Sequence, residues 1–260
     1  MPTSTWPSAV REFAFCPDRY TRLSAEVERF DDDRVCVIQG TVWAAVSGVR
    51  VAPDELEEVV EQVRALVPAE KHAVWWLDPD AEPADLHDRL VALGFRDPAD
   101  RVAELHAMAC ASEPATGAAE VDVRLVESFE DFLVAQQVSW RAFETPSERR
   151  QNDEQLRIEY EAARNAGVPA TFLAFLDGRP AGTARSIYSD RGVFLIAGAV
   201  EEWARGRGVY RALVRARWED AVARGTPLLV TEAMPDTSYP ILTRLGFGVV
   251  GTMRRLEDPR

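Results

Sequence analysis

Arg205-Gly206-Arg207-Gly208-Val209-Tyr210 stands between an apolar, strand-like run at 193–200 and a helical run at 209–224. Two glycines at such a junction let the backbone approach a bulky anion closely, in conformations that a Cβ forbids. The helix that follows opens with amide N–H groups that lack a carbonyl partner, and its dipole favours negative charge there. Arg205 and Arg207 add cationic side chains at the same point. These features describe either a pyrophosphate cradle or a turn that only caps the helix. Local charge favours the cradle. Six arginines fall between 205 and 224 against Glu219 and Asp220, inside a chain whose formal net charge is −13. A basic segment in an acidic protein calls for a local anionic ligand.

Outward from this loop, the carboxy-terminal half reads as alternating strands and helices. Residues 121–126 alternate as a half-buried strand, and helical patterns follow at 129–143 and 147–165, stopped by Gly167 and Pro169. Asp177-Gly178 then sits between strand-like runs at 171–176 and 182–188, a strong hairpin signal. After the loop and its helix come a strand at 228–231, a short helix at 238–245, and strand material from Gly248 onward. The order β-α-α-β-β-β-α-β-α-β predicts a mixed α/β sheet, with a parallel step wherever a helix joins two strands.

The first half echoes this pattern. Helical runs at 53–66 and 84–93 flank a strand at 72–77, and the unit ends in Leu93-Gly94-Phe95, as the second ends in Leu245-Gly246-Phe247. Duplication of one unit is the economical explanation, with chance similarity of αβα units the alternative. A small, polar stretch at 111–120 reads as the linker, so the expected organisation is two related domains in tandem, 1–110 and 121–260. The first-half counterpart of the loop has Gly48 and Arg50, but its helix start carries Asp54, Glu55, Glu57 and Glu58. Carboxylates occupy the field that a pyrophosphate needs, so one anion site per chain is expected. Trp43, Trp75 and Trp76 stand either in that half's core or in the wall of an acceptor pocket.

Several classes are excluded. There is no Gly-Lys-Ser/Thr and no amino-terminal G-x-G-x-x-G, which argues against a phosphate-loop ATPase and a dinucleotide fold. Cys16, Cys36 and Cys110 are too scattered for a disulfide framework, and His72, His87 and His106 do not fall at ligand spacing, so no metal is expected. No apolar run nears the roughly 20 residues that span a bilayer, and residues 1–7 lack the basic and apolar regions of a secretory signal. The expected compartment is the cytoplasm. The overall charge repels nucleic acid and anionic membranes. It would attract an amine-bearing partner, or it is a solubility device.

The loop and its surroundings resemble the GNAT superfamily of acetyl-CoA-dependent acyltransferases, whose central helix opens with [Q/R]-x-x-G-x-[G/A]. Arg205 and Gly208 match the first and fourth positions, while Tyr210 replaces the final small residue. The hairpin, the following strands and the helix ending in Leu-Gly-Phe occur in the family's order from about Val121 to Leu256.

The resemblance implies a GNAT-like fold with a degenerate amino-terminal copy, acetyl-CoA as co-substrate, and transfer to a small-molecule or peptide amine. It implies donor contacts from Gly198, Ala199, Val200, Arg205, Gly206, Arg207, Gly208, Val209 and Tyr210, with Gly198-Ala199 as a bulge that opens the sheet. The tyrosine acid of many members would fall at Leu242, so Tyr239 is the nearest substitute, or else a packing or gating residue. Glu232, at a strand end, is the expected base, with Glu201 and Glu202 nearby and water-mediated deprotonation the alternative. A non-catalytic acyl-CoA-binding module is the competing reading.

Overall fold

The computed structural model describes residues 6–24, 26–98, 103–115 and 120–259. The first half runs α1 (Ser8–Phe15), α2 (Pro17–Tyr20), β1 (Glu28–Asp31), β2 (Cys36–Gln39), β3 (Trp43–Ser47), α3 (Leu56–Leu66), β4 (His72–Leu77), α4 (Leu86–Ala92) and β5 (Glu104–Cys110). The second runs β6 (Val121–Leu125), α5 (Phe129–Ala142), α6 (Asp153–Ala166), β7 (Ala170–Leu176), β8 (Arg179–Tyr188) and β9 (Val193–Val200). It continues through α7 (Val209–Ala223), β10 (Leu229–Ala233), α8 (Ser238–Arg244) and β11 (Gly248–Asp258). The second half thus has the element order read from the sequence.

The described strands form one sheet, ordered β1-β2-β3-β4-β11-β5-β10-β9-β8-β7-β6. Its centre is an exchange. β5, the last strand of the first half, lies antiparallel beside β10, and β11, the last strand of the chain, lies antiparallel beside β4. The two exchanged strands also pair with each other. Each half therefore closes its sheet with the other's final strand. Asp258 fixes the exchange from its far end, accepting from Arg64 Nε and Nη2 of α3 at 3.1 and 3.0 Å, with its own side chain fully buried.

Register assigns the two faces. Trp75, Leu256, Met108, Leu229 and Val193 point one way, toward α3, α4, α7 and α8. Phe194, Val230 and Ala107 point the other way, toward α1. α5 packs its own small cluster, Ala135 and Val138, on Leu173 of β7.

Local chemistry sets the boundaries. Asp177 and Gly178 both adopt positive φ (53° and 71°), as a tight two-residue hairpin turn requires. α6 starts at Asp153 rather than near 147, because Asn152 and Gln155 form a reciprocal capping box. Residues 147–149 form only a short 3₁₀ turn. The expectation of a parallel step wherever a helix joins two strands holds for β3–β4 and β9–β10 but fails for β6–β7, which α5 and α6 join and which pair antiparallel. At α8, β5 occupies the place beside β10, so β11 goes one strand further; both run antiparallel to β5 and keep a common direction without pairing. Of the linker expected at 111–120, residues 116–119 lie outside the described residues, while Ala115 donates its N–H to Leu245 at 3.4 Å. In the first half, β1, β2, β3 and β5 were not read from the sequence.

A fragment spanning residues 120–259 would leave β10 without its β5 partner and β11 without either neighbour. Circular dichroism is expected to show no cooperative melt for it alone, and recovery when it is coexpressed with residues 6–115. A cooperative melt near that of the full chain would show that the exchange is dispensable.

Candidate active site

The site starts where β9 and β10 stop pairing. Their parallel register holds for Val193, Phe194 and Leu195 against Leu229, Val230 and Thr231. Thr231 Oγ1 donates to the Leu195 carbonyl at 2.9 Å and closes the last rung. Beyond it β9 bulges. Its pairing with β8 jumps from Ile196 to Ala199 while β8 advances only from Arg185 to Thr183. Ala197, at φ 50°, is the strained residue of the bulge. The bulge expected at Gly198-Ala199 is therefore centred one residue earlier, on Ala197-Gly198. A cavity of about 300 Å³ opens here, with Ile196, Ala197 and Gly198 of β9, Thr231 and Glu232 of β10, and Tyr210 and Arg217 of α7 in its wall.

α7 begins at the far end of β9. Gly206 and Gly208 have φ of 76° and 86°, and Gly208 is the residue preceding the helix. Its first turn carries no acidic residue, and no side chain caps its amides. Arg205 lies exposed, its Nε 3.4 Å from the Val200 carbonyl. Arg207 is committed elsewhere, donating to Asp177 of the hairpin turn at 2.9 Å. Tyr210 does not face the loop. A Cβ on Gly198 would sit 2.8 Å from its ring, and the ring reaches along the helix toward Arg217. The side chain that departs from the family motif thus belongs to the opening between the strands.

On the α1 face, a second cavity of about 440 Å³ lies between the halves. Ile38, Trp43 and Trp76 come from one side, Phe194, Ile196 and Glu232 from the other, and Pro17, Asp18 and residues 22–24 cover it with α6. Trp75 alternates to the opposite face, where it is fully buried against Phe95. Of the three tryptophans weighed as an acceptor wall or as core, Trp43 and Trp76 line this cavity and Trp75 is core. Strand parity decides it.

Glu232 borders both cavities. Burial pushes its carboxyl up to about 7, and the nearby charge of Asp18 adds to the shift. Asp18, from α2, is itself pushed up to about 6 by burial, with Arg29 opposing. Glu159 in the same wall is already paired with Arg185 at 2.8 Å. Of the other acidic candidates, Glu201 is ion-paired with Arg141 at 2.6 Å, and Glu202 is exposed. Tyr239 is in the wall of neither cavity; its ring packs on His106, centroids 4.7 Å apart. Leu242 is core. Cys16, Cys36 and Cys110 are buried and free, and the described residues hold no cluster suited to a metal ion. No described helix is long and apolar enough to cross a membrane.

The corresponding place in the first half is closed. Past the paired rungs of β3 and β4, Val51 donates to the Glu82 carbonyl at 3.2 Å and Glu82 donates to Val49 at 3.1 Å. The chain supplies its own strand where the second half leaves a gap. Arg50 is held by the fully buried Asp78 at 2.8 Å, and Glu57 and Glu58 occupy the first turn of α3.

Two residues of this site were not anticipated. Asp18 had no sequence signal, since it comes from the other half. Arg217 had one, as a charge at the Leu213–Arg217–Ala221 spacing of a buried stripe.

Residues 133–247 match the profile of the Acetyltransferase (GNAT) family. None of the curated proteins compared with the chain matches it. Among solved structures, a GCN5-related N-acetyltransferase from Kribbella flavida is 19% identical with a TM-score of 0.65, over 100% of this chain and 97% of that one. A tandem GNAT protein from the clavulanic acid biosynthesis pathway is 14% identical with a TM-score of 0.60, over 99% and 89%. A GCN5-related N-acetyltransferase from Sphaerobacter thermophilus is 17% identical with a TM-score of 0.58, over 88% and 82%. At these identities the structures speak to the fold alone. The chain has the fold of a tandem GNAT protein, and residues 133–247 of it match the profile of the GNAT acetyltransferase family.

Proposed function

We propose that this protein transfers an acetyl or other small acyl group from CoA to a primary amine, by direct attack in a ternary complex. The observation that carries the reading is Glu232, a carboxyl with a raised pKa standing between the opening in the sheet and the cavity between the halves. The first is read as the donor site and the second as the acceptor site.

The residues present suit the donor. Gly206 and Gly208 shape a loop of positive φ before α7, whose unoccupied amides and dipole favour a pyrophosphate. Arg205 supplies mobile charge; Arg207 would first have to leave Asp177. Backbone from Gly198 to Val200 borders the gap as an unpaired edge for a pantetheine arm. The bound thioester supplies an activated acyl carbon and a thiolate leaving group. N–H groups of the bulge would stabilise the oxyanion. Glu232 would take the ammonium proton before attack, directly or through water, because its carboxyl titrates near neutrality. Tyr210, the tyrosine in the wall of the opening, is better situated than Tyr239 to return a proton to sulfur. The acceptor is read as a small amine with an apolar body, matching the aromatic walls and the two unpaired carboxylates Asp18 and Glu232.

Gly206→Asp isolates the electrostatic part of the cradle, because a Cβ there meets nothing within 4 Å. Calorimetry is expected to show acetyl-CoA binding weakened about tenfold or more, with Gly206→Asn, which carries similar backbone strain, losing much less. Equal losses would refute an anion site at this loop.

Glu232→Gln is expected to lower kcat by about 10²–10⁴-fold. In the parent enzyme kcat/KM should rise with pH through about 7, and Asp18→Asn should move that limb to lower pH by removing a like charge. A limb that does not move would break the link between the two carboxyls. Stability gives a second readout. The folded value of Glu232 lies above its ordinary 4.5, so the native state holds more protons between these values and loses stability as pH rises through them. Glu232→Gln should therefore raise Tm at pH 8 and leave it unchanged at pH 4.

A further inference from the structure

α7 carries a charge where its pattern calls for an apolar side chain. Arg217 is 1% exposed and sits in the stripe with Leu213 and Ala221. The groups that contact its guanidinium are neutral. Nε donates to the Leu213 carbonyl at 3.0 Å, Nη1 lies 3.4 Å from the Arg185 carbonyl, and the Tyr210 hydroxyl stands beside the guanidinium. Nη2 has no partner. Among the described residues no carboxylate pairs with this cation, and burial lowers its pKa. A buried charge without a counter-ion is strongly disfavoured, so a folded chain that retains one calls for an anion at that point.

The position says which anion. Arg217 forms part of the wall of the donor opening, together with the bulge of β9 and Thr231. Glu232, the other charged side chain of that wall, does not neutralise it. Its register partner is Ala107, which faces α1, whereas Arg217 enters from α7 on the opposite side. Base and cation thus address the opening from its two faces. An amine approaching past Glu232 would find the acyl substituent pointing toward Arg217.

We infer that the transferred acyl group ends in a carboxylate held by Arg217, so that the donor class is a short dicarboxylic acyl-CoA such as succinyl-CoA. The inference rests on the reading of this opening as the donor site. A carboxylate there accepts the unused Nη2 hydrogen and compensates the guanidinium charge. A methyl group does neither, and a thioester or amide carbonyl supplies an acceptor but no charge. The bonds exchanged are unchanged. The N–C bond forms, the C–S bond breaks, the amine proton leaves through Glu232, the thiolate is protonated, and the product amide keeps the free carboxylate.

Calorimetry of the full chain with succinyl-CoA, acetyl-CoA and CoA itself tests this without relying on turnover. Succinyl-CoA should bind about tenfold to a hundredfold more tightly than acetyl-CoA, the range for a charge-assisted hydrogen bond made in a buried site. Arg217→Met should fold with a Tm at or above that of the parent, since it removes an uncompensated charge, and its preference should fall to about one. Acetyl-CoA binding as tightly as succinyl-CoA would overturn the inference, as would a preference that survives in Arg217→Met. If that variant does not fold, the comparison in the parent decides alone. If none of the three ligands binds, the donor reading itself falls, and the inference with it.

Discussion

Two neighbouring parallel strands stop pairing after three register positions, and the chemistry proposed for this protein depends on that interruption. The Leu195–Thr231 rung is the last, and Ala197 carries the strain that turns β9 away. Unpaired backbone in a sheet interior is costly unless something accepts its hydrogen bonds. The opening therefore makes sense as a place for a strand-like ligand. It also sets the positions of the groups around it. α7 begins at one end, Glu232 stands at its edge on one face, and Tyr210 and Arg217 look in from the other.

The first half shows what the same architecture does without a gap. Val49 and Val51 bridge to Glu82, Asp78 takes up Arg50, and the helix start is acidic. Each departure removes one requirement of an anion-binding opening: the free edge, the mobile cation and the electropositive helix end. What this half contributes lies elsewhere. It lends β5 to the sheet beside Glu232, tryptophans to the cavity wall, and Asp18 to the field that raises Glu232.

Much of this was legible in the sequence because it is local. The hairpin at Asp177-Gly178, the glycine loop and the order of elements from β6 to β11 follow from turn chemistry and periodicity within a few residues. Glu232 could be singled out because it lies near the end of a strand next to the loop's own. What escaped is non-local. No pattern in residues 104–110 announces that they pair with 229–233, and a helix–strand–helix reading of each half predicts self-contained sheets. Asp18 reaches the site only through that exchange. Tyr239 was chosen by helical spacing from Leu242, but spacing fixes a helix face and not what the face meets, which here is His106.

The exchange of final strands also bears on how the chain comes into being. A nascent polypeptide leaves the ribosome from its amino terminus, and domains generally fold in that order. Here β4 has its outer edge uncovered until residues 248–258 arrive, more than 170 positions later in the sequence. The first half, although synthesised early, must wait through the whole of the second before its sheet closes and Arg64 meets Asp258. During that interval β4 offers an unpaired edge on which other extended chains could add. Loss of residues 248–258 would therefore strike the first half as hard as the second.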